Sequence, residues 1–177
     1  NECVVSHNTI SSWISVLEAS YILKIVHPYY KNINKRLVKN PKIFFLDTGL
    51  MCFLLNIYSA DQVASHPLRG SIYETYVFSE LLKQHYNQSI PDNIYFLRDH
   101  QGNEVDFLLE KAENVDLIEV KSSATFNDNF LSGIKYFEKI YGKQPRKTIV
   151  YGGEKEKFDY KEVAVMNWEG LRDLISL

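Results

Sequence analysis

Apolar residues recur at Ile10, Trp13, Ile14, Leu17 and Tyr21, the spacing of one helix face, and Ser6 or Asn8 stands where a cap belongs; the pattern predicts a helix over Thr9 to Ser20. The period then shortens. YILKIVH and KIFFLD read as two strands around the basic loop or hairpin PYYKNINKRLVKNP, and Asp47 or Thr48 caps a short helix through Leu55. Helix, strand, loop and strand in that order form the closing half of a winged helix-turn-helix. A polar connection, Ala60 to Leu68, leads into GSIYETYVFSELLKQHY, a long amphipathic helix whose apolar side is Ile72, Tyr76, Phe78, Leu81, Leu82 and Tyr86. Three strands follow, IYFLRD, EVDFLLE and DLIEVK, then a helix from about Asn127 to Tyr141 that Gly142 stops. RKTIVYGG and EVAVMN add two more strands, and a last short helix starts at Trp168 behind the cap Asn167. The predicted fold class is α/β: a mixed sheet flanked by helices over residues 70–177, preceded by a partial winged helix-turn-helix over residues 1–57.

Composition narrows the picture. An apolar share of 45% over 177 residues suits a globular protein. The net charge of -2 is unevenly divided: residues 1–57 hold Lys24, Lys31, Lys35, Arg36, Lys39 and Lys42 against Glu2, Glu18 and Asp47, so the remainder is the acidic part. Cys3 and Cys52 show no metal-ligand spacing, which excludes a disulfide scaffold or zinc site and makes a reducing cytoplasm the default compartment. The most apolar segment, IFFLDTGLMCFLLNI, is interrupted by Asp47 and is shorter than the ~20 residues that span a bilayer, so no membrane partner is expected. The chain enters a structured motif directly from Asn1, as expected of a fragment whose N-terminal partner has been removed.

The chemistry concentrates in NEVDFLLEKAENVDLIEVK, residues 103–121. Glu119 and Lys121 share one strand face, and in one register the preceding strand brings Asp106 alongside Glu119. Two desolvated carboxylates repel unless a cation holds them, and oxygen ligands beside a lysine suit Mg2+ or Mn2+. Lys121 then stands beside the ion, placed to orient a water and to stabilise charge on a phosphate. A third carboxylate, Glu74, lies near the start of the long helix.

Glu74, Asp106 and the EVK of Glu119 to Lys121 resemble the PD-(D/E)xK nuclease core, over about Gly70 to Leu177, although no proline precedes Asp106; the resemblance implies that the mixed sheet flanked by helices is restriction-endonuclease-like. PYYKNINKRLVKNPKIFFLDTGL, RGSIYETYVFSELL, RDHQGNEVDFLLE and IEVKSS together resemble a family found C-terminal to AAA+-type ATPase modules in bacteria and archaea. The resemblance implies a winged helix before a nuclease-like core, with Asp106, Glu119, Glu74 and the Val120 carbonyl as metal ligands. No GxxxxGK[ST] pattern occurs here, so ATP enters only through an N-terminal module in cis.

The blander readings are an acidic cluster neutralised by Lys121 without metal, and solvated strand ends for Arg98, Asp99, Glu104 and Glu110. The first helix has no basic residue and is a poor DNA reader, whereas Lys31, Lys35, Arg36, Lys39 and Lys42 form an acid-free run suited to phosphates or to an ATPase-facing loop. The five histidines show no metal spacing, and His100 reads as an exposed turn residue. The expectation is therefore a divalent-metal-dependent nuclease domain acting on DNA, with a non-catalytic regulatory or nucleic-acid-binding module of the ATPase as the alternative. Oligomeric state is left open.

Overall fold

The computed structural model describes residues 5–29, 38–112, 114–141 and 144–174. Helix α1 (His7–Ala19) opens the chain, capped by Ser6, whose hydroxyl accepts the Thr9 N–H at 3.2 Å. None of its residues is buried, and Trp13 and Val16 lie on the surface. Strands β1 (Leu23–Val26) and β2 (Lys42–Phe45) then pair antiparallel, Leu23 opposite Phe45. Helix α2 (Thr48–Leu54) follows, capped by the Asp47 carboxylate at 3.0 Å from the Leu50 N–H. The connection expected to be irregular contains a short helix, α3 (Ala60–Ser65), fixed by a reciprocal capping box between Ser59 and Gln62.

The long helix α4 (Arg69–Asn87) leads into a six-stranded mixed sheet built from β3 (Ile94–Arg98), β4 (Glu104–Glu110), β5 (Val115–Lys121), β6 (Arg146–Tyr151), β7 (Lys157–Tyr160) and β8 (Val163–Met166). The strand order is β3-β4-β5-β6-β8-β7. The β5–β6 and β6–β8 pairs are parallel and the other three antiparallel. Between β5 and β6 the chain makes a 3-10 turn (Asp128–Leu131) and helix α5 (Ser132–Tyr141). The expected stop at Gly142 lies outside the described residues. A closing 3-10 turn (Glu169–Asp173) is held by Asn167, whose side-chain oxygen accepts the N–H groups of Glu169 and Gly170.

Helices cover both faces of this sheet, which is why β5 is buried from Val115 to Val120, with apolar residues on both faces and only Asp116 and Glu119 charged among them. On one side Val77, Phe78 and Leu81 of α4 pack on Phe107, Ile118 and Val120; on the other Ile134 and Phe137 of α5 pack on Leu108, Leu117 and Ile149. The β1–β2 pair joins the α4 side. Phe44 stacks on Phe78 at 4.6 Å and leans on Phe107 at 5.6 Å between ring centres, and each such buried ring contributes roughly 1.5–3 kcal/mol. Polar contacts fix the same docking: the Ser79 hydroxyl donates to the Leu46 carbonyl at 2.8 Å, the Val38 N–H to the Arg98 carbonyl at 2.8 Å, and Lys24 pairs with Asp92 at 2.6 Å. No described helix is long and apolar enough to cross a membrane.

Candidate metal centre

A bulge in β4 shapes the site. Tyr95 stands opposite Leu108 but Leu97 stands opposite Val105, so Asp106 and Phe107 together face the single residue Phe96. Such an extra residue breaks alternation and re-aims a side chain. On its other side β4 pairs with β5 only as far as Phe107 opposite Ile118, leaving Asp106 and Glu119 one step beyond the last pair, in the register expected from the sequence. The Asp106 carboxylate fills the gap in the ladder: its Oδ2 accepts the Val120 N–H at 2.8 Å. Val120 thus engages the site through its N–H, where the resemblance pointed to its carbonyl.

Three carboxylates converge around this break. One oxygen from each of Glu74, Glu104 and Asp106 lies within 4.8 Å of the other two. Glu74 reaches in from the second turn of α4; Glu104 and Asp106 belong to β4. Glu119, expected beside Asp106, is not one of the converging three. It alternates with Ile118 and Val120, which pack under α4, and so belongs with Leu117 to the α5 face. There a Cβ added to Gly133 would stand 3.0 Å from its Oε2. That oxygen is buried and has no hydrogen-bond partner.

Two ammonium groups share the acids. Lys121 Nζ lies 2.6 Å from Glu119 Oε1. Lys42 Nζ lies 2.7 Å from Glu74 Oε1 and also bonds to Glu104, with the rings of Phe96 and Phe44 at 5.2 and 5.9 Å. The four carboxylates of this region outnumber the two ammoniums. Arg98, half exposed, touches Glu104 from the rim at 3.3 Å.

Burial and mutual repulsion show in the protonation equilibria. Burial first, then the Asp106 charge, raises Glu74 above the usual carboxylate range and pushes Glu119 up to about 8. Asp106 is also raised, chiefly by burial, against the pull of Lys121, Lys42 and the Val120 N–H. For Lys42 burial works downward, but Glu74 and Glu104 outweigh it and hold the ammonium charged; Glu119, Asp106 and Glu74 do the same for Lys121. Glu119 and Lys121 therefore feel Asp106 although they hang from the neighbouring strand.

The remaining candidates divide. Glu104, read as a solvated strand end, sits inside the cluster; its signal was its place two residues before Asp106 on one strand. Asp99 is no strand-end ornament either: only 6% exposed, it accepts the N–H groups of Gln101 and Asn103, the Asn103 amide and the Tyr136 hydroxyl, and so ties the β3–β4 turn to α5. His100 is exposed in that turn, as expected. Lys39 is exposed, while Lys42 points its ammonium at carboxylates; Lys31, Lys35 and Arg36 lie outside the described residues. A cavity of about 450 Å³ is lined by Arg69, Tyr73, Tyr76, Ser122 and Trp168 among others; Tyr73 and Ser122 adjoin Glu74 and Lys121 in sequence, and none of the clustered acids lines it.

Two family models match the chain. Residues 1–61 match a second family described as a domain of unknown function (DUF8612). Two uncharacterized proteins, one of Mycobacterium tuberculosis and one of Mycobacterium bovis, are each 27% identical to the chain over 121 residues, which is 68% of this chain and 26% of each relative. The chain thus spans about a quarter of the length of these relatives. The matched residues 69–170 make up more than half of the chain and hold every carboxylate of the cluster, and on that match the protein belongs to the family described as the domain of unknown function DUF4143.

Proposed function

We propose that the chain carries a divalent-metal-dependent, PD-(D/E)xK-type nuclease site that hydrolyses DNA phosphodiesters, working in cis with an AAA+-type ATPase module. The observation that carries the reading is the convergence of Glu74, Glu104 and Asp106 within 4.8 Å beside the Lys121–Glu119 pair. Hard carboxylate oxygens suit Mg2+ or Mn2+, and a buried Glu119 oxygen without a partner is the kind of atom that a cation satisfies. Glu74, Glu104 and Asp106 would hold the ion, with Glu119 Oε2 as a further donor. Bound there, it would supply Lewis-acid chemistry at the phosphate.

The protein's own groups do the rest. The Val120 N–H fixes the rotamer of Asp106. Glu119 holds the Lys121 ammonium at the edge of the cluster, where it orients the attacking water and stabilises negative charge growing on the phosphate. The neighbouring cavity, with Tyr73, Tyr76 and Trp168 in its walls and Arg69 as its one charged lining residue, has room for a nucleotide next to the scissile bond. The test is cleavage of single-stranded, duplex and branched DNA in Mg2+ or Mn2+ by the wild type, Asp106→Asn and Lys121→Met. Metal-dependent cutting that both variants lose by about a hundredfold or more is expected; cutting equally fast in both variants, or none by the wild type, overturns the reading.

One observation favours a second reading. Lys42 already neutralises two of the three converging carboxylates, as it would in a purely architectural cluster within a regulatory or nucleic-acid-binding module.

A further inference from the structure

Lys42 belongs to β2, far in sequence from the acids it meets, and nothing in its local sequence sets it apart from the basic residues before it. Its position is nevertheless built. Its ammonium lies 5.9 and 5.2 Å from the ring centres of Phe44 and Phe96, its side chain is only 20% exposed, and the same ammonium bonds to Glu74 and Glu104, two of the three acids that converge. An ion at the ~2.1 Å that Mg2+ requires from those oxygens would stand against the ammonium, two cations on the same carboxylates with little water between them. One must yield. Lys121 contacts none of the converging three; its partner is Glu119 Oε1.

We infer that Lys42 is a tethered competitor of the divalent ion, and that it couples the docking of the β1–β2 pair to the site's metal affinity. The inference rests on the metal-site reading above. Binding of the ion to Glu74 and Glu104 expels the Lys42 ammonium, and β2 loses one of the contacts that hold it to α4 and β4. Coupling of this kind is reciprocal: whatever presses β1–β2 onto the core weakens ion binding, and whatever pulls the pair away strengthens it. The segment before the acidic core thereby acts as a brake on the site.

The experiment compares Mn2+ binding by the wild-type chain, Lys42→Met and Asp106→Asn, using calorimetry or the free Mn2+ spin-resonance signal, together with hydrogen exchange of β1 and β2 in the wild type with and without Mn2+. Methionine keeps an unbranched apolar side chain and removes the charge. Lys42→Met is expected to bind Mn2+ at least about fivefold more tightly than the wild type, the lower end of ordinary coupling. Saturation of the wild type is expected to speed exchange at Ile43 to Phe45. Equal or weaker binding by Lys42→Met overturns the inference and leaves the metal site standing. Absence of binding by both wild type and Lys42→Met overturns the site and the inference together. If Lys42→Met fails to fold, the exchange measurement decides: faster exchange of β2 on adding Mn2+ supports the competition, and unchanged or slower exchange overturns it.

Discussion

The Asp106 carboxylate accepts the Val120 N–H across 2.8 Å at the point where the β4–β5 ladder stops. One side chain therefore closes a gap in the sheet and also faces the acid cluster. The two duties separate by substitution. Asp106→Asn keeps an acceptor for the buried N–H and loses the charge, so it should stay within about 1 kcal/mol of the wild type in urea unfolding while losing Mn2+ affinity. Asp106→Ala should cost about 1–3 kcal/mol through the stranded N–H. Equal stability of the two variants would show that the Val120 contact contributes little.

Glycine 133 stands at the second position of α5, where alanine would ordinarily favour a helix. A Cβ there would lie 2.0 Å from the Glu104 carbonyl oxygen and 3.0 Å from Glu119 Oε2, so α5 must pull back from the site. Gly133→Ala is expected to destabilise the fold by at least about 1 kcal/mol, as overpacked positions do, and to weaken Mn2+ binding. Gly70, near the start of α4, is the control: an added Cβ meets nothing within 4 Å, and Gly70→Ala should stabilise by about 0.5–1 kcal/mol. Thermal unfolding of the two variants side by side checks both signs.

Phe44 joins the β1–β2 pair to α4 and β4 through Phe78 and Phe107. Phe44→Ala should cost about 3–5 kcal/mol, measured by denaturant midpoint, if β1–β2 and the main sheet unfold as one unit. A separate early transition with the main sheet unaffected would show that the pair unfolds on its own.

The Asp99 knot gives a pH signature. Burial opposes its ionised form, but the Tyr136 hydroxyl, the Asn103 amide and the N–H groups of Asn103 and Gln101 outweigh it and hold the carboxyl at about 2, below its unfolded value of about 3.9. A depressed carboxylate stabilises the fold fully above the unfolded value, and that contribution is lost as pH falls from about 4 towards 2. Tyr136→Phe removes one donor, so its deficit in stability should be present at pH 6 and shrink below pH 4. A deficit independent of pH would assign the loss to packing alone.

The sequence displayed the skeleton of this site better than its membership. The helix carrying Glu74 and the two strands carrying Asp106, Glu119 and Lys121 were legible because α4 has one apolar stripe and the strands are short, largely apolar runs between turn residues. Helix α3 was hidden because Val63 is its only large apolar residue, and its capping box rests on just two polar residues, Ser59 and Gln62, each side chain accepting the other's backbone N–H. Strand β7, at the sheet edge, alternates exposed and half-buried positions in a charged stretch that reads as a loop. The replacement of Glu119 by Glu104 among the converging acids follows from the β4 bulge, which breaks the strict alternation on which sequence reasoning depends. The placement of Lys42 is set wholly by the docking of distant segments.

The central claim is that Glu74, Glu104 and Asp106 form a site for one divalent ion. Its most direct measurement is Mn2+ binding stoichiometry and affinity at pH 7.5, a working value near physiological pH, for the wild type, Glu74→Gln and Asp106→Asn. The account predicts one Mn2+ per chain, bound at least about tenfold more weakly by each variant whose fold is intact. Absence of binding by the wild type, or binding that both substitutions leave unchanged, would contradict it.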